Sequence, residues 1–160
     1  MWTADGTKLS GDYGMWKGRE YELRSTSPIR GLIYLVQEGG ERPGPEWKTH
    51  EQPNEFPRPS IAYTLGVPPD EVTDVHAVRA SGELRPGHVV KVLAEDANGN
   101  LAVVAGTGFS AEAKMDLLKE HGFHPFAKDE PVGRQPVFGW VPADMVLNVR
   151  SEVYWRKDAS

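Results

Sequence analysis

The sequence predicts a mainly β protein with one short α-helix, arranged as two small, related β units in tandem that arose by internal duplication. Three observations lead to this fold class: one segment occurs twice, several strand-like segments are separated by Gly and Pro, and a single segment carries helical signals. We expect an N-terminal unit at 13–79 and a C-terminal unit at 82–155.

The repeated segment covers residues 66–75 and 140–149, which we call box 1 and box 2. Val67 aligns with Val141 at an offset of 74 residues, and Val, Pro, Asp, Val and Val match at that one offset. In each box, Pro followed by Asp favours a tight helical turn, and the apolar residues behind it favour a strand. The repeat therefore predicts the same local structure twice.

The N-terminal unit is expected to open with a turn at 17–19. Apolar and charged residues alternate in 20–23, as in a strand with one solvated face. The continuous apolar run 31–36 predicts a central strand buried on both sides, and 61–65 resumes the strand pattern. Between them, 37–60 contains five prolines, which favours a long ordered loop without regular ladders.

The C-terminal unit is expected to contain a β-hairpin. Residues 88–94 and 101–105 have strand-like patterns, and 96–100 between them contains Asn98-Gly99. Asn-Gly is preferred where both central residues of a turn need a positive φ, so the dipeptide predicts a tight hairpin turn.

A helix is predicted at 111–121. Ser110 can cap its first amides, and Gly122 can take the left-handed conformation that ends a helix. Three apolar residues fall on one stripe at helical spacing, with Leu117 beside it, and predict the packing face: Ala111, Met115 and Leu118.

Composition limits the function classes. The chain has 160 residues, no cysteine and a formal net charge of −5. The lack of cysteine excludes disulfides, thiolate zinc sites and a cysteine nucleophile, and fits a cytoplasmic protein. We find no signal sequence and no apolar stretch of membrane-spanning length. The acidic balance argues against nucleic acid and favours a basic protein partner, although mild acidity can also serve solubility alone.

Catalytic signatures are absent from the sequence: there is no phosphate loop ending in Lys-Ser/Thr, no His-Glu-x-x-His and no Gly-x-Ser-x-Gly. Gly106-Thr107-Gly108 precedes the helix, but a plain strand-to-helix turn is favoured over a phosphate site because the remaining glycine and a βαβ context are missing. The histidines are expected to be scattered and not zinc ligands: His50, His76, His88, His121 and His124. We expect no enzyme, no cofactor and no metal.

Box 2 resembles the closing segment of SH3-like barrels, in which an apolar strand ends in Pro, makes one tight helical turn and leads into a final strand. Box 1 resembles it with Gly66 in place of the aromatic residue Trp140. The acidic and aromatic cluster with which SH3 domains bind proline-rich peptides is not recognisable here. The resemblance implies two SH3-like barrels.

The larger pattern is similar to small immunity proteins of bacterial polymorphic toxin systems. It combines a Lys-Gly-Arg-x-Tyr opening at 17–21, the two Val-Pro-x-x-x-Val boxes and Gly122-Phe123 after the helix. This resemblance implies a non-enzymatic antitoxin, monomeric when free, that occludes the active site of a cognate toxin. The alternative is an SH3-like protein- or peptide-interaction module or accessory subunit.

The candidate partner-binding residues lie in the long loop, where acidic side chains surround aromatic ones. Aromatic anchors within a charged rim are typical of tight interfaces. In the alternative, Trp47 and Phe56 fold back to fix the loop onto its own unit, leaving solvated glutamates. The candidate residues are Glu41, Glu46, Trp47, His50, Glu51, Glu55 and Phe56.

Overall fold

The computed structural model of the protein describes residues 1–51, 56–57, 59, 61–85 and 87–156. Strands account for 51% of the chain, which confirms the mainly β class. The chain divides into two compact units. The first unit comprises Gly11–Val78 with Val153–Ser160, and the second comprises Met1–Ser10 with Arg79–Glu152. Each unit thus combines two segments of the chain, whereas the sequence suggested one continuous stretch for each.

The first unit is an antiparallel sheet with the strand order β4-β5-β3-β2-β1-β6. Ile33 and Leu35 of β3 are fully buried, and β3 pairs with β2 on one side and β5 on the other, which confirms the expected central strand. Its strands are β1 (Gly11–Trp16), β2 (Arg19–Leu23), β3 (Ile33–Glu38), β4 (Lys48–Glu51), β5 (Ile61–Val67) and the first half of β6 (Val72–Arg85).

Strand β1 is not indicated by the sequence pattern because glycine has a low strand propensity. Gly14 has a packing reason to be there: a Cβ atom at this position would lie 2.9 Å from Cγ1 of Val72 and 3.0 Å from Cδ1 of Leu23. Close approach of neighbouring side chains is a recurrent role of glycine within strands.

Strand β4 corrects the expectation that 37–60 lacks regular ladders. Thr49 pairs with Tyr63 and His50 with Ala62, so the four residues of β4 extend the sheet beyond β5. Pro45 precedes this strand and Pro53 follows it. The prolines therefore lie outside β4, where they remove no ladder hydrogen bond from it.

The second unit contains an antiparallel sheet in which β6 continues into the order β6-β7-β8-β10-β9, and β11 also pairs with β6. Its core contains Leu9, Val92, Val103, Phe123 and Val137 among others. The remaining elements are β7 (His88–Glu95), β8 (Asn100–Ala105), α1 (Ala111–His121), β9 (His124–Pro125), β10 (Val137–Pro142) and β11 (Leu147–Trp155), whose last three residues belong to the first unit.

The β7–β8 hairpin is confirmed, but its turn differs from the expected one. Gly99 has a positive φ of 78°, whereas Asn98 does not. The carboxylate of Asp96 instead accepts hydrogen bonds from the backbone N–H groups of Asn98 and Asn100, at 2.9 and 2.8 Å. Asp favours such turns because its short side chain can bond to nearby backbone amides.

Helix α1 has the predicted bounds and caps. The Ser110 hydroxyl accepts a hydrogen bond from the amide of Ala113 at 3.1 Å, and Gly122 ends the helix in the left-handed conformation. The predicted packing stripe is wrong in part, because Ala111 and Met115 are exposed. Leu117, which lies beside the stripe, is buried as expected, and so is Lys114. No helix in the described part of the chain has the length and apolar character needed to cross a membrane.

The two boxes share one local backbone conformation. Pro68 and Pro142 each precede a three-residue 3-10 helix, Pro69–Glu71 in box 1 and Ala143–Met145 in box 2. Asp74 and Asn148, again 74 residues apart, have positive φ angles of 52° and 53°. The repeated turn is therefore present, while the duplication and the SH3-like assignment of each unit stay predictions.

Candidate partner-binding surface

The segment after β3 is held onto the first unit by hydrogen bonds from its base. The Gln37 side chain donates to the carbonyl of Glu41 at 2.8 Å, and the Tyr63 hydroxyl donates to the carbonyl of Gly40 at 3.0 Å. The Gly39 amide donates to the carbonyl of Ile61 at 2.9 Å. Despite its prolines and glycines, this part of the loop is well fixed.

Trp47 fixes the next part of the segment by burying its ring. Only 4% of its surface is exposed, and it belongs to the core of the first unit together with Ile33 and Leu35. Its ring also contacts that of Tyr21, with centroids 5.8 Å apart. Trp47 cannot anchor a partner in this conformation, so the alternative in which it folds back onto its own unit describes it better.

Four further candidates in this segment are solvent-exposed: Glu41, Glu46, His50 and Glu51. His50 and Glu51 lie on β4, which within the described residues pairs only with β5. The His50 ring is oriented by a hydrogen bond of 2.8 Å between its Nε2 and the hydroxyl of Thr64. Three of the four exposed candidates are thus carboxylates.

Two basic residues of this segment, Arg42 and Lys48, are also exposed and lie between the acidic positions in the sequence. Along the segment the charges therefore alternate, with an acidic excess. Such a pattern fixes the register of a partner as well as attracting it.

Two further candidates complete the predicted set. Glu55 lies outside the described residues. Phe56 is partly buried, so only part of its ring is available to a partner.

The second unit has an aromatic surface that was not predicted from the sequence. Along β10, Val137, Gly139 and Val141 are buried, while the side chains between them face outward. Trp140 is 37% exposed and Phe126 is 55% exposed. The rings of Phe126 and Phe138 lie 4.6 Å apart, and His124 lies 6.0 Å from Phe138. The period-two alternation within 137–142 was the signal that could have revealed this surface.

One cluster of titratable side chains lies within the first unit and is mostly buried. His76 is 2% exposed, and its Nδ1–H donates a hydrogen bond of 2.6 Å to the carbonyl of Asp74. Its Nε2 lies 3.9 Å from a carboxylate oxygen of Glu20, a side chain that is 26% exposed. The Tyr13 ring stacks on that of His76 at 5.7 Å. Burial, with Glu22 and Glu20 nearby, raises the pKa of Tyr13 far above its usual range, so this phenol stays neutral. His76 and Tyr13 thus pack the interior of the first unit.

Across the parts of the chain that the structure describes, no group of three or more His, Asp or Glu side chains is arranged to hold a metal ion. Comparisons of the chain with protein-family models, curated proteins and solved structures gave no match.

Proposed function

We propose that this protein is a non-enzymatic immunity protein that binds a cognate bacterial toxin in the cytoplasm and occludes its active site. In this proposal the free protein is a monomer that binds neither nucleic acid nor membrane. The observation that carries the proposal is the segment 37–51 of the first unit, in which Glu41, Glu46 and Glu51 of β4 are exposed to solvent while Trp47 is buried.

The fixed conformation supports tight binding. Ordering a flexible loop on association costs conformational entropy, which reduces affinity. Here the hydrogen bonds from Gln37 and Tyr63 and the burial of Trp47 order residues 37–47 before any partner arrives. The exposed carboxylates can then contact a partner without that cost.

The charge supports a basic partner. The chain carries a net charge of −5, and within it the segment 37–51 has a local excess of acidic residues. Opposite charge on the two partners raises the association rate, and like charge suppresses wrong partners. Toxins that degrade nucleic acid are commonly basic, because they must bind phosphates.

A charge reversal tests the proposal once a partner has been isolated with the tagged protein. The double variant Glu46→Lys/Glu51→Lys should associate about tenfold more slowly at low salt, with a weaker dependence of the rate on salt. The matched control is Glu120→Lys/Glu130→Lys, which changes the net charge equally at two exposed positions of the second unit. Equal association rates for the two double variants would refute the acidic-loop interface.

The second candidate function is an SH3-like protein- or peptide-interaction module. The exposed aromatic surface of Phe126, Phe138 and Trp140 favours it, because aromatic side chains are enriched where proteins bind partners. Under this alternative, Phe126→Ala weakens capture of the partner, whereas the glutamate reversal does not.

A further inference from the structure

The second unit contains a concavity of about 440 Å³ at the beginning of α1. Gly106 and Thr107 of the turn before the helix form one side, and Gly133 and Arg134 of the 3-10 helix Val132–Arg134 form another. This volume is in the range of small-molecule sites.

A buried cation lines this concavity. Lys114 is 3% exposed, and its Nζ donates a hydrogen bond of 2.8 Å to the carbonyl of Gln135. Within the described residues, no carboxylate forms a salt bridge with it. Helical side chains lean toward the helix N-terminus, which directs Lys114 toward the concavity. A buried ammonium group with a carbonyl as its partner is costly, and an anion beside it would offset that cost.

Further groups that favour anion binding line the same concavity. Arg134 and Thr107 are exposed and line the concavity, where Arg134 offers guanidinium N–H groups and Thr107 a hydroxyl. An adjoining concavity of about 690 Å³ shares Gly106, Thr107 and Pro136 with it and is lined by Lys91. None of the described residues that line either space is acidic, although the chain as a whole has a net charge of −5.

The walls of the concavity are fixed by packing. A Cβ atom at Gly133 would lie 2.8 Å from the Cβ of Ala111, so the 3-10 helix lies close against α1. The Gln135 side chain accepts a hydrogen bond from the amide of Ala127 at 2.7 Å and donates to the carbonyls of Ala127 and Glu130 at 2.6 and 3.0 Å. A site with walls fixed in this way requires little ordering when a ligand binds.

We propose that this concavity binds the phosphate group of a small organic ligand. Lys114 supplies a desolvated charge, Arg134 can contact two phosphate oxygens at once, and Thr107 donates a hydroxyl hydrogen bond. Phe109 and Pro136, which also line the space, form an apolar wall for the organic part of the ligand. The inference is independent of toxin binding.

Titration with inorganic phosphate at constant ionic strength, followed by the backbone amide signals in NMR, tests the site. We expect saturable shifts at 106–114 and 133–135 with a Kd on the order of 1 mM. Lys114→Met, which keeps the buried chain without its charge, and Arg134→Gln, at an exposed position, should each raise the Kd by about tenfold or more.

Lys119→Gln is the control, since it removes an exposed cation of α1 that does not line the concavity. It should leave the Kd unchanged. The proposal fails if the wild-type shifts do not saturate, or if Arg134→Gln and Lys114→Met bind phosphate as the wild type does. Because Arg134 is exposed, its variant keeps the test decisive even if Lys114→Met does not fold.

Discussion

Boxes 1 and 2 have the same turn but lead into strands of opposite character. After the turn of box 1, Val75 is 5% exposed, whereas Val149 at the matching position of box 2 is 42% exposed. All nine residues of β11 are exposed. A short repeated sequence therefore determines a turn through interactions between neighbouring residues. The burial of the strand that follows depends on which other elements of the unit pack against it.

The likeness of the two boxes extends to a packing detail that the sequence repeat does not show. Val72 of box 1 packs against Gly14, and Val146 of box 2 packs against Gly82. Both valines are buried, at 5% and 6% exposure. In each unit a glycine on the neighbouring strand thus makes room for the first valine after the turn.

The largest expected effect comes from charging the valine that precedes the turn in each box. Val67 is 4% exposed and Val141 is 1% exposed. Val67→Asp and Val141→Asp should each lower the free energy of unfolding by more than about 4 kcal/mol, because each buries an unpaired carboxylate. Chemical denaturation measures this, and Val89→Asp, at a valine that is 46% exposed, is the matched control. A denaturation midpoint equal to that of the wild type in either box variant would show that the valine of that box is not part of the core.

The two glycines provide the next test. A Cβ atom at Gly82 would lie 2.5 Å from Cγ1 of Val146, and one at Gly14 would lie 2.9 Å from Cγ1 of Val72. Gly82→Ala and Gly14→Ala should each cost about 1–3 kcal/mol through overpacking, with the larger loss at Gly82. Thermal melting compares them with Gly106→Ala, where an added Cβ meets no atom within 4 Å. Losses no greater than that of the control would show that the shared packing does not matter.

Truncation of the matched valines should destabilise the protein in box 1 but not in box 2. Val75→Ala is expected to lower the free energy of unfolding by about 2 kcal/mol, because it removes buried methyl groups and leaves a cavity. Val149→Ala should change it by no more than about 0.5 kcal/mol. Urea denaturation of both variants measures the difference, and equal losses would mean that β11 is buried as β6 is.

The smallest expected loss of stability should be the same in the two boxes. Asp74 and Asn148 occupy the left-handed region, which Asp and Asn tolerate better than Ala. Asp74→Ala and Asn148→Ala should each cost about 1 kcal/mol, and the two losses should agree within about 0.5 kcal/mol. A clear loss in one variant alone, seen by urea denaturation, would indicate that the two turns are not energetically equivalent.

The sequence predicted those elements that are determined by interactions between residues close to each other in the chain. Ser110 and Gly122 bound the helix, Asn98-Gly99 marks the hairpin, and the boxes give their turns. Strand β4 depends instead on the free edge of β5, which the sequence of 37–60 does not reveal.

The candidate site was predicted less completely, because burial is decided by distant residues. Trp47 fits an exposed anchor as well as a core residue until β3 and β5 are in place around it. Lys114 was not singled out from the sequence, since lysine is rarely buried. The burial of Lys114 depends on the carbonyl of Gln135, which accepts a hydrogen bond from its Nζ.

The most direct test of the proposed function is capture of the partner by three tagged proteins in parallel: the wild type, Glu46→Lys/Glu51→Lys and Glu120→Lys/Glu130→Lys. Each is purified from cells shown to express the partner, at low and high salt, and the bound proteins are quantified by mass spectrometry. We predict one stoichiometric partner with a toxin-like domain on the wild type and the second variant, and strongly reduced capture by the first. Equal capture by all three, or no partner on the wild type, would contradict the account.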